Sequence, residues 1–269
     1  MYPDILDEHL TKIKRATSRP YAVNVPLLYP DIEELMECIA RHRVPIVISS
    51  AGNPKTWTSS LKSEGIRVVH VVSSAGFAIK AEQAGVDAVV AEGFEAGGHN
   101  GREETTTMVL IPLVRRVTDL PLVAAGGIAD GRSMLAAMVL GADGVQLGTR
   151  FVLSQESSAH PSFKERVKAA AEGDTELTLK ELTPVRLLKN SFYLQLMDAY
   201  TRGAGVEELR EILGRGRAKL GMFEGDLEEG ELEIGQVSAL LDDIPSAAQI
   251  VSDLWKEFIE ARTEWCLPQ

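Results

Sequence analysis

Short, nearly unbroken apolar runs alternate with amphipathic stretches through the first half of the chain. The runs cover residues 21–25, 45–49, 67–71, 87–91, 122–125 and 144–147, and each reads as a buried strand. Helical patterns lie between them at 32–42, 53–64, 76–84, 105–117 and 130–140. Strands that alternate with helices predict βαβ units and a parallel sheet, and near-continuous hydrophobic strands fit a sheet covered on both faces. A closed (β/α) barrel needs eight strands, and the pattern supplies roughly six such units. The chain opens on a helix, about residues 3–17, with no strand before it. The expectation is therefore an open sheet, or a barrel without its first strand, first helix and second strand.

After Phe151 the rhythm stops. A helix is expected at 157–171, helical segments with glycine-rich breaks at 175–241, and an amphipathic helix at 244–264. The predicted organisation is a β/α barrel over 1–174, a helical insertion over 175–241 and a terminal helix within 242–269.

Three loops that follow strand-like runs carry the candidate chemistry. The first is Glu92-Gly93-Phe94-Glu95-Ala96-Gly97-Gly98-His99, where glycines permit close backbone approach and an imidazole titrates near neutral pH. The second holds Gly126 and Gly127, and the third runs Gln146-Leu147-Gly148-Thr149. The last two loops of a β/α barrel commonly bind phosphate through backbone N–H groups. Glycines that only make tight βα turns are the alternative, weakened by their recurrence on successive strands. Glu92 and Glu95 are read either as partners for a sugar-like hydroxyl or for His99, or as solvated. Asn24 is read as a ligand contact or as turn chemistry with Pro26.

The other histidines fit structural tasks: His70 inside a strand, His160 at a helix start, His9 and His42 on solvated helix faces. Arg210, Arg215, Arg217 and Lys219 read as a solvated cluster partly neutralised by the acidic run from Glu224 to Glu231.

Composition narrows the classes. The 269 residues are 45% hydrophobic and 25% charged, which suits a globular chain with a sizeable core. A net charge of -11 argues against nucleic-acid binding and against attraction to anionic membranes. No secretion signal is visible at the start and no apolar run reaches membrane-span length. Cys38 and Cys266 form no C-x-x-C pair, so no metal site is expected, and a buried and an exposed thiol in a reducing cytoplasm is the simplest reading.

The block from Val89 to His99 resembles the nitronate monooxygenase family, once called 2-nitropropane dioxygenases, which includes flavin-dependent enoyl-ACP reductases. The blocks at 124–131 and 144–151 and the segment Ser157-Ser158-Ala159-His160-Pro161 fit both. The resemblance implies a TIM (β/α)8-type barrel that binds FMN non-covalently and carries a helical insertion. It implies flavin contacts from Asn24, Glu92 and Gly97, with Gly98 and Gly126 in the same loops. Many members carry Gln where this chain has Glu92. It further implies phosphate contacts from Gly127, Gln146, Leu147, Gly148 and Thr149, and His99 as the catalytic residue. The implied reaction is oxidation of alkyl nitronates by dioxygen to a carbonyl compound and nitrite. The alternatives are reduction of an enoyl thioester by NAD(P)H, or a shortened paralogue without activity. A small-molecule substrate is expected, and a homodimer remains open. An inosine-monophosphate-dehydrogenase-like reading needs a loop cysteine, which neither Cys38 nor Cys266 supplies.

Overall fold

The computed structural model describes residues 2–265. The backbone divides into two compact units, Met1–Ala91 with Leu113–Val123, and Glu92–Pro112 with Ala124–Gln269.

The first unit opens on α1 (Pro3–Ala16), started by a proline at its first turn. It continues through β1 (Ala22–Pro26), α2 (Ile32–Arg41), β2 (Ile46–Ser50), α3 (Lys55–Ser63), β3 (Arg67–Val72), α4 (Ala75–Gln83) and β4 (Ala88–Glu92). The pairs β1–β2, β2–β3 and β3–β4 are parallel. In α2, Ile32, Leu35, Met36 and Ile39 recur on one face and are all buried. Ser74 starts α4 by accepting the Phe77 N–H at 3.3 Å.

Ser49 and His70 are register partners on β2 and β3, and the Ser49 hydroxyl meets His70 Nδ1 at 2.8 Å. His70 is buried, as its place in a strand predicted, and burial pushes its pKa down to about 4. His42 departs from expectation. It is half-buried rather than solvated, because α1 packs on α2 and brings Asp7 Oδ1 within 2.9 Å of its Nε2. Arg41 holds the same carboxylate oxygen at 2.6 Å. Cys38 is buried, and burial raises its thiol pKa. Cys266 lies outside the described residues.

The second unit begins at the last residue of β4. It carries β5 (Gly98–His99), α5 (Thr107–Arg115) as far as Pro112, β6 (Leu122–Ala125) from Ala124 onward, α6 (Gly131–Val139), β7 (Gly144–Gln146), α7 (Thr149–Val152) and α8 (Pro161–Lys168). Then follow β8 (Thr175–Thr178), β9 (Val185–Leu188), α9 (Ser191–Thr201), α10 (Val206–Leu213), α11 (Arg217–Met222), a 3-10 turn (Gln236–Leu240) and α12 (Ala247–Trp265). His160 caps α8, its Nδ1 accepting the Ser162 N–H at 3.2 Å, in keeping with the helix-start reading.

The segment expected to be helical over 175–241 opens instead with two strands. β8 and β9 join β5 in an antiparallel sheet of order β5-β9-β8. The physical reason is burial on both faces: Val185 and Leu187 pack with Phe192 and Leu196, while Leu188 packs with Leu153, Phe163 and Leu232. That period-two alternation belongs to a strand. It is too short to register against helix in a four-residue run.

Candidate active site

The ends of β4 and β6 are tied together by the Gly93 N–H, which donates to the Ala125 carbonyl at 2.9 Å. The chain turns through Gly126 and Gly127 at φ of +83° and +70°. A Cβ on Gly126 would stand 2.6 Å from the Gly93 carbonyl oxygen, so only glycine allows both the turn and the approach. A Cβ on Gly97 would collide with the backbone of Ile234 and Gly235.

These loops and the one after β7 enclose a cavity of about 190 Å³. Of the residues singled out in the sequence, it gathers Glu92, Gly97, Gly126, Gly127, Gln146, Gly148 and Thr149. Glu95, Glu233 and Gly235 complete the walls that matter chemically. A Cβ on Gly148 would meet nothing within 4 Å, so its backbone faces open space. The Thr149 hydroxyl accepts the Gly235 N–H at 3.0 Å and keeps its own proton to donate.

Gly98, His99 and Leu147 do not line this cavity. His99 is largely exposed, at 66% of its side chain, and its Nδ1 lies 4.0 Å from Glu233 Oε1. Asn24 stands on β1 in the first unit, where it lines a separate groove with Leu6, Ile13 and Tyr21. Glu95 does not orient His99. Its carboxylate accepts the Thr107 N–H at 3.0 and 2.9 Å and the Thr107 hydroxyl at 3.0 Å, holding the start of α5.

Sequence reasoning missed Glu231, the last residue of a run read only as neutralising charge, and Glu233, which lies two residues past it. Burial pushes Glu92 and Glu233 each up to about 7. Glu231 is also pushed up to about 7, by burial first and then by the charge of Glu233. One of its carboxylate oxygens has no hydrogen-bond partner. Buried carboxyls titrating near neutrality in a walled cavity are a physical mark of a functional site.

The sequence model of the nitronate monooxygenase family matches residues 33–257. The chain belongs to the nitronate monooxygenase family. A probable nitronate monooxygenase of Staphylococcus saprophyticus is 34% identical over 201 residues, 69% of this chain and 56% of that protein. A Rhodococcus jostii protein named (3aS,4S,5R,7aS)-5-hydroxy-7a-methyl-1-oxo-octahydro-1H-indene-4-carboxyl-CoA dehydrogenase is 29% identical over 95% of this chain and 82% of its own length. Among solved structures, FabK from Thermotoga maritima is 40% identical and superposes with a TM-score of 0.92 over 98% of this chain and 84% of that one. This member of the nitronate monooxygenase family is thus an oxidoreductase with an α/β fold of the TIM-like kind, and no helix among its described residues is long and apolar enough to cross a membrane.

Proposed function

We propose that this chain is an FMN-dependent nitronate monooxygenase that oxidises alkyl nitronates with dioxygen to a carbonyl compound and nitrite. The observation that carries the reading is the glycine-walled cavity in which the loops after β4, β6 and β7 meet. Bound FMN supplies the electron acceptor for the substrate and the means of passing electrons to dioxygen. Gly127, Gln146, Gly148 and Thr149, which line the cavity with Gly97 and Gly126, would hold the phosphate end, while Gly98 and Leu147, off its wall, keep their cofactor assignment on the family resemblance alone. Glu92, protonated below about 7, offers a hydrogen bond where a permanently charged carboxylate would repel an anion. Asn24 keeps its flavin contact on the family resemblance alone. His99 hydrogen-bonds the nitro oxygens, or removes the α-proton of a neutral nitroalkane.

The six strands fit the last six of an eight-stranded barrel, with 175–241 as an insertion after the last of them. A cytoplasmic location goes with this reading. The test is the visible spectrum of the purified chain titrated with FMN, followed by nitrite release from a nitronate. Perturbed flavin bands and turnover that falls roughly a hundredfold in His99→Ala are expected. A colourless chain that leaves added FMN unchanged overturns the reading.

A second reading, reduction of an enoyl thioester by NAD(P)H through FMN, is favoured by one observation. The relative that covers 95% of this chain is named as a carboxyl-CoA dehydrogenase. NAD(P)H oxidation with a crotonyl thioester separates the two. A homodimer suits either reading.

A further inference from the structure

Glu233 reaches His99 by register rather than by chance. On one edge of β9, His99 stands opposite Val185 and Gly98 opposite Arg186. The next position on that edge, opposite Leu187, is filled by Glu233 through an antiparallel bridge. His99 and Glu233 are therefore two register positions apart along β9, and side chains at that spacing share a face. Gly98, between them, leaves the passage clear: a Cβ there would stand 2.8 Å from Glu233 Oε2. The Glu233 carboxylate is 19% exposed, lines the cavity and approaches the imidazole on its Nδ1 side at 4.0 Å.

We propose that Glu233 is a positioning residue for His99, holding the imidazole with Nδ1–H toward the carboxylate and Nε2 free to take the α-proton of a neutral nitroalkane. This rests on the reading of His99 given above. The C–H bond breaks, its electron pair moves into the C=N bond of the nitronate, and the proton forms an N–H bond at Nε2. The carboxylate then faces an imidazolium, whose charge it stabilises across a half-buried gap. A nitronate supplied ready-made needs no such step.

The charged and titratable groups around Glu233 are few. His99 faces it from β5 and Glu231 stands two residues earlier. Glu92 and Glu95 share the cavity, Arg186 lies on β9, and Arg217 acts on Glu231. Burial holds Glu233 at about 7, so the carboxylate needed for this task forms only as pH approaches neutrality.

The experiment compares a neutral nitroalkane with its pre-formed nitronate in wild type, Glu233→Gln and Glu233→Asp. In Glu233→Gln the ratio of nitroalkane kcat to nitronate kcat falls roughly tenfold, KM for the nitroalkane moves little, and the acid limb near pH 7 is lost. Glu233→Asp recovers part of the ratio. Parallel loss with both substrates, or no change in the ratio, overturns the proposal. A second arm needs no turnover: the Glu233 carboxyl, assigned by difference from Glu233→Gln, is titrated by 13C NMR in wild type and His99→Asn. A midpoint that moves when His99 is removed supports the pairing, and an unmoved midpoint overturns it. If wild type turns over neither substrate, the reading of the reaction has failed, and this arm still decides the pairing.

Discussion

The polar interior of the first unit and that of the second are built on opposite terms. In the first, buried His70 has a partner in register, Ser49, and burial keeps it neutral down to about pH 4. It is a closed pair with no proton to exchange near neutrality. In the second, Glu92, Glu231 and Glu233 are all pushed up to about 7, and one Glu231 oxygen has no partner at all. Native interiors normally satisfy their buried polar groups. Two carboxyls held near neutrality on the wall of a glycine-lined cavity, with a third beside them that has an unpartnered oxygen, are a physical mark of a functional site, whereas the Ser49–His70 pair is closed on itself.

The harshest way to break this contrast is to add one methyl group to a glycine in each unit. Gly97→Ala must push its Cβ into the backbone of Ile234 and Gly235, neither of which can swing aside. Destabilisation of about 3 kcal/mol or more is expected, with flavin binding lost. Gly65→Ala meets nothing within 4 Å and carries only the strain of φ +77°, so about 1 kcal/mol is expected. Chemical denaturation of both variants, with an FMN titration, checks the pair. Equal losses would mean the cavity wall is no tighter than an ordinary turn.

The two interiors should also answer pH in opposite directions. His70 binds a proton at 6.5 when unfolded but only at about 4 in the fold. Its contribution is complete above about 6.5 and is lost as pH falls toward 4, by up to roughly 3 kcal/mol. The three carboxyls run the other way. Their folded values near 7 exceed the ordinary 4.5, so their contribution is complete below 4.5 and is lost as pH rises through 7. Hydrogen exchange at pH 5 and pH 8, corrected for intrinsic rates, should show β3 better protected at the higher pH and residues 230–236 better protected at the lower. Parallel responses would remove the contrast.

Glu231→Gln sharpens the same point at a single residue. The neutral isostere removes a charge from a buried site with an unpartnered oxygen. A gain of about 1–2 kcal/mol at pH 8, vanishing at pH 5, is expected in denaturation curves. No gain at pH 8 would mean the carboxyl is already neutral or solvated there.

How much of this was legible beforehand follows the range of the forces involved. The strands expected at 67–71 and 122–125 match β3 (Arg67–Val72) and β6 (Leu122–Ala125), because a buried parallel strand declares itself in its own few residues. The loop glycines at 97, 126 and 127 were legible for the same reason. β8 and β9 were not, since four-residue runs are too short to show a period, β8 is a strand only by pairing with β9, and β9 is tied on its other edge to β5, some ninety residues away. Glu233 was not, since its bridge to Leu187 and its approach to His99 leave no local pattern. Glu95 was seen but misread, because its partner Thr107 lies on the following helix.

The mildest test asks whether satisfaction, rather than membership of one unit, sets the behaviour of a charged side chain. Arg210 and Arg217 both belong to the cluster that reads as solvated, and both lie in the second unit. Arg210 conforms: it pairs with Glu207 at 2.5 Å with both side chains exposed. Arg217 does not. Its guanidinium donates to the carbonyls of Ile212 at 2.9 Å, Leu213 at 3.0 Å and Glu229 at 2.6 Å, and lies 4.5 Å over the Phe192 ring. Removing it strands three carbonyl groups and uncovers an aromatic face. Arg217→Ala should therefore cost about 2 kcal/mol, and Arg210→Ala no more than about 0.5 kcal/mol. Thermal denaturation of the two variants reads the difference directly. If Arg217→Ala were as mild as Arg210→Ala, hydrogen-bond satisfaction would not be what holds this helical region together, and the one unpartnered oxygen of Glu231 would carry little weight as a sign of function.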